Sequence, residues 1–367
     1  MYGAKIGFYE CMSNLLNLLS FLSLLAAGSS IAAPTPWIFI HGIKGGRLET
    51  LTGKTAWLTA SQVLGLDTPG LSLPANANLR PAGVLERVQI LPWVAETDVY
   101  GSFMERGEES GLPFYPFSYD WRQECLTTLS LFEKFVGEIR LKHPDSKVNV
   151  AAHSMGGLIA WALMLKHPDW FERIVYVGVP FKGGVGFLQD LHVGESTGLN
   201  SKILSPEVLA TFPSVYVLFT EEGEGLVDAN GKNVPVNFYS SRDWDRLKMG
   251  VMPKPVNFAE SLSSAKEFRK QLKLPAFSVR AKRILWPEIT VVAGDSIPTL
   301  SAIVKDGPKA VRGWDFETRV NGKGDGRITF GYALPPQEVP YEVMKLNAAH
   351  ADQMNHPDVI EKVFGKR

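Results

Sequence analysis

Lys147 to Ile159 reads KVNVAAHSMGGLI. Val148, Val150 and Ala151 make a short strand, small residues surround Ser154, and Leu158, Ile159, Ala162, Leu163 and Leu165 follow at helical spacing. Strand, sharp turn and helix around one serine are the layout of a nucleophile elbow. The turn strains the serine backbone and demands small residues two positions to either side. Ala152 and Gly156 meet that demand. Such a turn exposes the Ser154 hydroxyl and aims the Met155 N–H at the place where an oxyanion would form. Gly194-Glu195-Ser196-Thr197-Gly198 fits the G-x-S-x-G letters more closely. The segment before it, Phe187 to His192, carries polar residues, and no small-residue helix follows, so the context of an elbow is missing. Ser154 is the candidate nucleophile.

Outward from the elbow, Pro36-Trp37-Ile38-Phe39-Ile40 is a solid apolar run, as in a strand buried on both faces of a parallel sheet. It ends in His41-Gly42-Ile43-Lys44-Gly45-Gly46. A glycine turn there leaves backbone N–H groups at the sheet's C-terminal edge, where ligand sites of open α/β sheets form. The Ile43 N–H is the candidate second oxyanion donor. Arg173 to Val179 and Glu288 to Gly294 read as further buried strands, and Val88 to Leu91 as another. Leu126 to Leu141 reads as an amphipathic helix. Buried strands alternating with helices predict an α/β fold with a mostly parallel, doubly wound sheet. Residues 47–86 lack periodicity and are rich in Pro, Gly, Thr and Leu, as in a lid-like loop. Residues 187–285 break the rhythm and predict an insertion capping the sheet's C-terminal edge. Phe114 to Trp121 is densely aromatic and closes on Asp120-Trp121-Arg122, read as a strand with a structural ion pair.

The 367 residues carry a formal net charge of zero, with 45% hydrophobic and 21% charged side chains. That is a folded globular composition with no electrostatic reason to expect nucleic-acid partners. Leu15 to Ala27 has the length of a signal-peptide apolar region and is short for a membrane span. Cleavage after Ala32 would leave Ser30 and Ala32 at the small positions, assigning 1–33 to a signal peptide and 34–367 to the catalytic domain. An N-terminal membrane anchor is the alternative. Cys11 precedes the apolar run, so Cys125 would be the only thiol after cleavage. Export without a disulfide points to a bacterial envelope, periplasm or secretion.

A serine hydroxyl needs a base to take its proton and an acid to orient the base. After an elbow the chain order is Ser, acid, His. Of seven histidines only His350 and His356 follow the last strands. His350 lies in a polar loop of small residues, whereas His356 precedes Pro357 at a helix start. His350 is the candidate base. Two acids compete, Asp295 in Ala293-Gly294-Asp295-Ser296 and Asp325 in Gly324-Asp325-Gly326, and position alone does not choose. This chemistry needs no metal or cofactor.

Several motifs in order resemble the lecithin:cholesterol acyltransferase-like α/β-hydrolases, which include lysosomal phospholipase A2 and phospholipid:diacylglycerol acyltransferase. His41 to Glu49 resembles the family's P-G-x-x-G-x-x-L-E turn with His for Pro. Tyr119-Asp120-Trp121-Arg122 is similar to its Y-D-W-R segment, and Ala152 to Gly157 to its A-H-S-M-G-G elbow. Pro180 to Gly184 resembles P-x-x-G-G, Phe212-Pro213-Ser214 an F-P-S segment, and Gly324-Asp325-Gly326 the acid turn. Gly294, Pro298 and Thr299 match loosely a Y-G-x-G-x-P-T turn, where Asp295 falls. The resemblance implies an α/β-hydrolase fold, Ser154 as nucleophile, Asp325 as acid, His350 as base, and the Ile43 and Met155 N–H groups as the oxyanion hole. It also implies lipid ester substrates met at a membrane surface, cleaved by a lipase or phospholipase or passed on by an acyltransferase. Two departures stand out. Residues 47–90 hold no cysteine for the disulfide-closed lid of mammalian members, and the acid turn reads G-D-G-R-I in place of G-D-G-T-V. The alternatives are a carboxylesterase acting on non-lipid esters and an idle hydrolase fold serving as a binding module.

Overall fold

The computed structural model describes residues 34–91, 95–221, 223–274 and 285–366. The signal-peptide expectation, Cys11 included, lies outside the described residues. The chain divides into two compact units, Met1–Pro34 and Thr35–Arg367, and the second holds everything below. Among the described residues no helix is long and apolar enough to cross a membrane.

Six strands form the main sheet: β1 (Trp37–Ile40), β2 (Phe114–Phe117), β3 (Val148–His153), β4 (Phe171–Val177), β5 (Glu288–Gly294) and β6 (Glu342–Leu346). Their order is β6-β5-β4-β3-β1-β2, and every neighbouring pair is parallel. The register pairs Ile40 with Ala152 and His153 with Val177, so the C-terminal ends of β1, β3 and β4 come level. Successive side chains of β1 enter two different cores. Ile38 and Ile40 join the larger one with Phe132, Val136 and the elbow helix Ser154–Lys166. Trp37 and Phe39 join the smaller one with Phe103 and the terminal helix residues Val359, Val363 and Phe364. Helices therefore cover both faces, and the elbow helix is buried all round from Ser154 to Met164. This is the doubly wound α/β-hydrolase fold. Pro116 sits in β2, at the sheet's edge, where a missing N–H is tolerated.

Two segments differ from the sequence reading. Residues 47–86 are not an unstructured loop: Gly46–Glu49, Thr55–Trp57 and Arg80–Val84 form a small antiparallel sheet, with a helical turn at Ala60–Val63. Strands this short, broken by Gly, Pro and Thr, leave no readable period. Arg87–Leu91 is a strand but stays out of the main sheet, pairing antiparallel with Ala95–Asp98. Between β4 and β5 the described residues hold helix Gly186–Val193, hairpin Glu195–Thr197 with Asn200–Leu204, and helix Phe258–Gln271.

The Tyr119–Arg122 segment does more than end a strand. The Tyr119 hydroxyl donates to the His41 carbonyl at 2.9 Å and the Trp121 indole to the Gly46 carbonyl at 3.0 Å. Fully buried Arg122 grips Asp120 at 2.7 Å and donates to the Leu71 and Asn76 carbonyls. One segment thus props the glycine turn after β1 and anchors the loop that follows it.

Candidate active site

The elbow forms where β3 passes into its helix. Ser154 takes φ +51°, a left-handed conformation that costs a non-glycine residue roughly 1–2 kcal/mol and that only a well-packed surround sustains. A Cβ on Gly156 would lie 2.3 Å from the His41 carbonyl oxygen and 2.9 Å from that of Ile40. The helix can approach β1 this closely only with glycine there, as the small-residue spacing predicts.

His350 stands beyond β6. Its Nε2 lies 3.0 Å from Ser154 Oγ and its Nδ1 2.8 Å from Asp325 Oδ2. The His350 N–H also donates to the Asp325 carbonyl at 2.9 Å. Asp325 Oδ1 accepts from the Arg327 and Ile328 N–H groups at 2.9 and 2.7 Å, and Oδ2 also from Gln353 Nε2 at 3.3 Å. Burial alone would raise this carboxyl; the adjacent His350 and the two backbone donors outweigh it and hold the pKa below the usual range. The relay has the geometry for moving a proton from Ser154 Oγ to His350 while a carboxylate fixes the ring tautomer.

Both competing acids belong to the end of β5. Asp295 follows it directly, pairs with Lys345 at 3.0 Å and accepts from the Ser296 hydroxyl at 2.9 Å. Asp325 returns to the same place by an antiparallel excursion, Ile297–Leu300 with Val320–Gly324. A Cβ on Gly294 would lie 2.7 Å from Asp325 Cβ, so the glycine at the strand's end lets the second turn close over it. His356 caps the terminal helix, its Nδ1 accepting from the Asp358 N–H at 3.2 Å.

Met155 occupies the first turn of the elbow helix, where N–H groups lack intrahelical acceptors. Ile43 lines the same cavity as Ser154. That cavity measures about 270 Å³ and is bounded by Trp57, Leu58, Leu85, Phe187 and the strand Glu195–Thr197 as well as by His350. A nearly filled, mainly apolar slot, with Leu191, Leu209, Val215 and Leu218 in its wall beside Lys44, Asp190, Glu195 and Arg327, shares Phe187 with this cavity. Ser196, from the G-x-S-x-G look-alike, sits on the hairpin and lines the wall facing this cavity.

Sequence reasoning missed a buried chain of hydrogen bonds behind the serine. The Gly42 N–H donates to Tyr100 Oη at 3.1 Å, and the Tyr100 hydroxyl lies 2.7 Å from His153 Nδ1. His153 Nε2 lies 3.1 Å from the His350 carbonyl, so it is the N–H-bearing nitrogen and Nδ1 accepts from Tyr100. Burial, reinforced by neighbouring His350, lowers the pKa of His153 to about 3. Burial likewise lowers His41 to about 4. Neutral His153 therefore ties the glycine turn, through Tyr100, to the His350 loop. His153 stood visible inside the elbow motif; Tyr100, 53 residues away in sequence, gave no signal. Among the described residues no cluster of His, Cys, Asp and Glu is placed to hold a metal ion.

Comparison with known proteins places this geometry in context. Residues 49–247 match the family model "Lecithin:cholesterol acyltransferase". Lecithin-cholesterol acyltransferase-like 4 of Arabidopsis thaliana is 31% identical over 47% of this chain and 34% of its own length. Phospholipase A(1) LCAT3 of the same plant is 31% identical over 23% of this chain and 20% of its own. The matches thus span only about a third and a fifth of those two relatives. A chain in the crystal structure of the Tle4–Tli4 complex superposes with a TM-score of 0.59 at 16% identity, over 91% of this chain and 98% of that one, a likeness of fold.

Proposed function

The chain belongs to the lecithin:cholesterol acyltransferase family, and on that premise we propose that it cleaves lipid esters through an acyl-enzyme on Ser154. The observation that carries the reading is the unbroken relay from Ser154 Oγ through His350 to Asp325, at 3.0 and 2.8 Å, opening into a cavity with apolar walls. His350 Nε2 takes the Ser154 proton as Oγ bonds to the ester carbonyl carbon, and the carbonyl π pair moves onto oxygen. That oxyanion forms against the Ile43 and Met155 N–H groups, each worth about 2.7–4 kcal/mol where such donors have been removed elsewhere. Collapse breaks the ester C–O bond, and the departing alcohol takes the proton from His350. Water or an acceptor alcohol, deprotonated by the same imidazole, then bonds to the acyl carbon, the Ser154 Oγ–C bond breaks, and Oγ takes the proton back from His350.

The cavity of about 270 Å³ is small for a lipid, ligand pockets commonly spanning roughly 300–1,000 Å³. Phe187 separates it from the apolar slot, so a long acyl chain requires the wall formed by residues 187–197 to move.

A fluorophosphonate probe tests the nucleophile: wild type is labelled and Ser154→Ala is not. Equal labelling of the two overturns the assignment. Incubation with a phospholipid, with and without added alcohol, reads the acceptor. Free fatty acid alone means hydrolysis, a new ester means transfer, and release of neither refutes the substrate class.

A further inference from the structure

A second cavity, of about 370 Å³, is lined by Trp161 of the elbow helix and shares no lining residue with the serine cavity. Trp161, Phe181, Leu272 and Leu274 give it an apolar wall. Arg269 enters the wall from helix Phe258–Gln271 and is only 4% exposed. Its Nη2 donates to the Phe181 carbonyl at 3.0 Å, while Nε and Nη1 have no acceptor among the described residues. Two further cations, Lys182 and Lys273, line the cavity against two acids, Glu221 and Glu338. Lys273 pairs with Glu221 at 3.2 Å, and the three cations of the lining outnumber its two acids by one.

A guanidinium taken out of water with idle donors is destabilising unless an anion completes it. The other buried arginine among the described residues, Arg122, has such a partner in Asp120. We propose that this cavity is a second binding site, for a carboxylate amphiphile. The Arg269 guanidinium takes the carboxylate, and Trp161, Phe181, Leu272 and Leu274 take the adjoining methylenes. The ligand class is a free fatty acid. An inorganic anion would leave the apolar wall uncovered, and a neutral alcohol would leave the guanidinium unpaired. The position also gives an occupant contact with the elbow: Trp161 belongs to the elbow helix, and its indole donates to the Leu272 carbonyl at 3.1 Å.

The inference does not depend on Ser154 being the nucleophile, because its readout is binding. Octanoate, octan-1-ol and inorganic phosphate are titrated calorimetrically into wild type, Arg269→Gln and Lys182→Glu. Octanoate should raise the wild-type melting temperature and bind at least tenfold more tightly than octan-1-ol or phosphate. Arg269→Gln should weaken octanoate at least tenfold while melting no lower than unliganded wild type, since it removes an unpaired buried charge. Its turnover of a short soluble ester should stay within threefold of wild type. Exposed Lys182→Glu, which leaves the core untouched, should weaken octanoate about threefold and carries the test if Arg269→Gln does not fold. Octanoate binding unchanged in both variants, octan-1-ol binding as tightly as octanoate, or phosphate binding more tightly than either would overturn the proposal.

Discussion

Replacing Asp325 by Asn changes one atom, and the structure determines where that atom must go. Oδ1 accepts two backbone N–H groups, from Arg327 and Ile328, at 2.9 and 2.7 Å. Oδ2 faces His350 Nδ1 at 2.8 Å and Gln353 Nε2 at 3.3 Å. An asparagine has one acceptor oxygen. Keeping both backbone bonds places its NH2 at the Oδ2 position, against two donors. The reverse orientation sets the NH2 against two backbone N–H groups that cannot move. The first arrangement wins, and His350 must then turn its proton to Nε2 so that Nδ1 accepts from the amide. An imidazole protonated on Nε2 has no lone pair for the Ser154 proton. Where this tautomer change has been made in another serine enzyme it cost about 10⁴ in kcat, or about 5.4 kcal/mol at 1.36 kcal/mol per decade. The expected outcome is a loss of about 10⁴-fold in turnover of a p-nitrophenyl ester, with a melting temperature near wild type. Asp295→Asn removes only contacts to Lys345 and Ser296 and should leave turnover within twofold or so. Turnover by Asp325→Asn within tenfold of wild type, or an equal loss in Asp295→Asn, refutes the reasoning.

Stability should fall with acid because His41 and His153 are held neutral, at pKa values of about 4 and about 3. Below pH 6.5 the unfolded chain takes up protons that the folded chain refuses, so at pH 5 the two groups together cost about 4 kcal/mol; a urea midpoint unchanged from pH 7.5 to 5 contradicts this. Tyr100→Phe strands the buried Gly42 N–H and the His153 acceptor, about 1–3 kcal/mol each. Its kcat should drop roughly tenfold or more with little change in KM, and a KM effect alone argues against a positioning role. Arg122→Lys cannot reproduce the fork on Asp120 together with two carbonyl contacts, and should cost about 3–5 kcal/mol by denaturant titration. Gly156→Ala meets two backbone carbonyls and should cost more than about 3 kcal/mol, whereas Gly137→Ala, on a helix with open space at its Cβ, should stabilise by about 0.5–1 kcal/mol. Equal melting temperatures for the two glycine variants would remove the packing argument for the elbow.

What was legible in the sequence was what short-range sterics and burial impose. The apolar runs at 37–40, 148–153 and 289–294 are buried on both faces, as in strands of a parallel sheet covered by helices. The Ala152-x-Ser154-x-Gly156 spacing is dictated by a single tight turn, so it reads locally. Asp325 against Asp295 did not read locally, because a 30-residue excursion brings both to one strand end, where Asp325 faces His350 and Asp295 faces Lys345. The small sheet within 46–84 stayed hidden because strands of three to five residues with Gly and Pro carry no usable period. Tyr100 was invisible for another reason: it acts through Gly42 and His153, which lie 58 and 53 residues away along the chain.

The two turns flanking the serine are tied to more than the sheet. Lys44, next to Ile43 in the glycine turn, pairs with Glu195. Arg327, at the position where the acid turn departs from the family's threonine, pairs with Asp190 and lies over the Phe187 ring at 5.1 Å. Both carboxylates belong to the segment that walls the cavity. Burial would raise Glu195, yet Lys44 and Arg327 hold it below the usual range, so it stays charged and the two pairs form one connected cluster. From its far side the same hairpin is held by Asn200, which donates to the Gln62 and Asp67 carbonyls. Widening the cavity by moving residues 186–204 therefore releases the Ile43 turn and the Asp325 turn together. A substrate that opened the wall without restoring those charges would meet a site whose two supporting turns had lost their outer anchor. The stretch that mimics an elbow in its letters, Gly194 to Gly198, contributes this coupling through Glu195, one residue before its misleading serine.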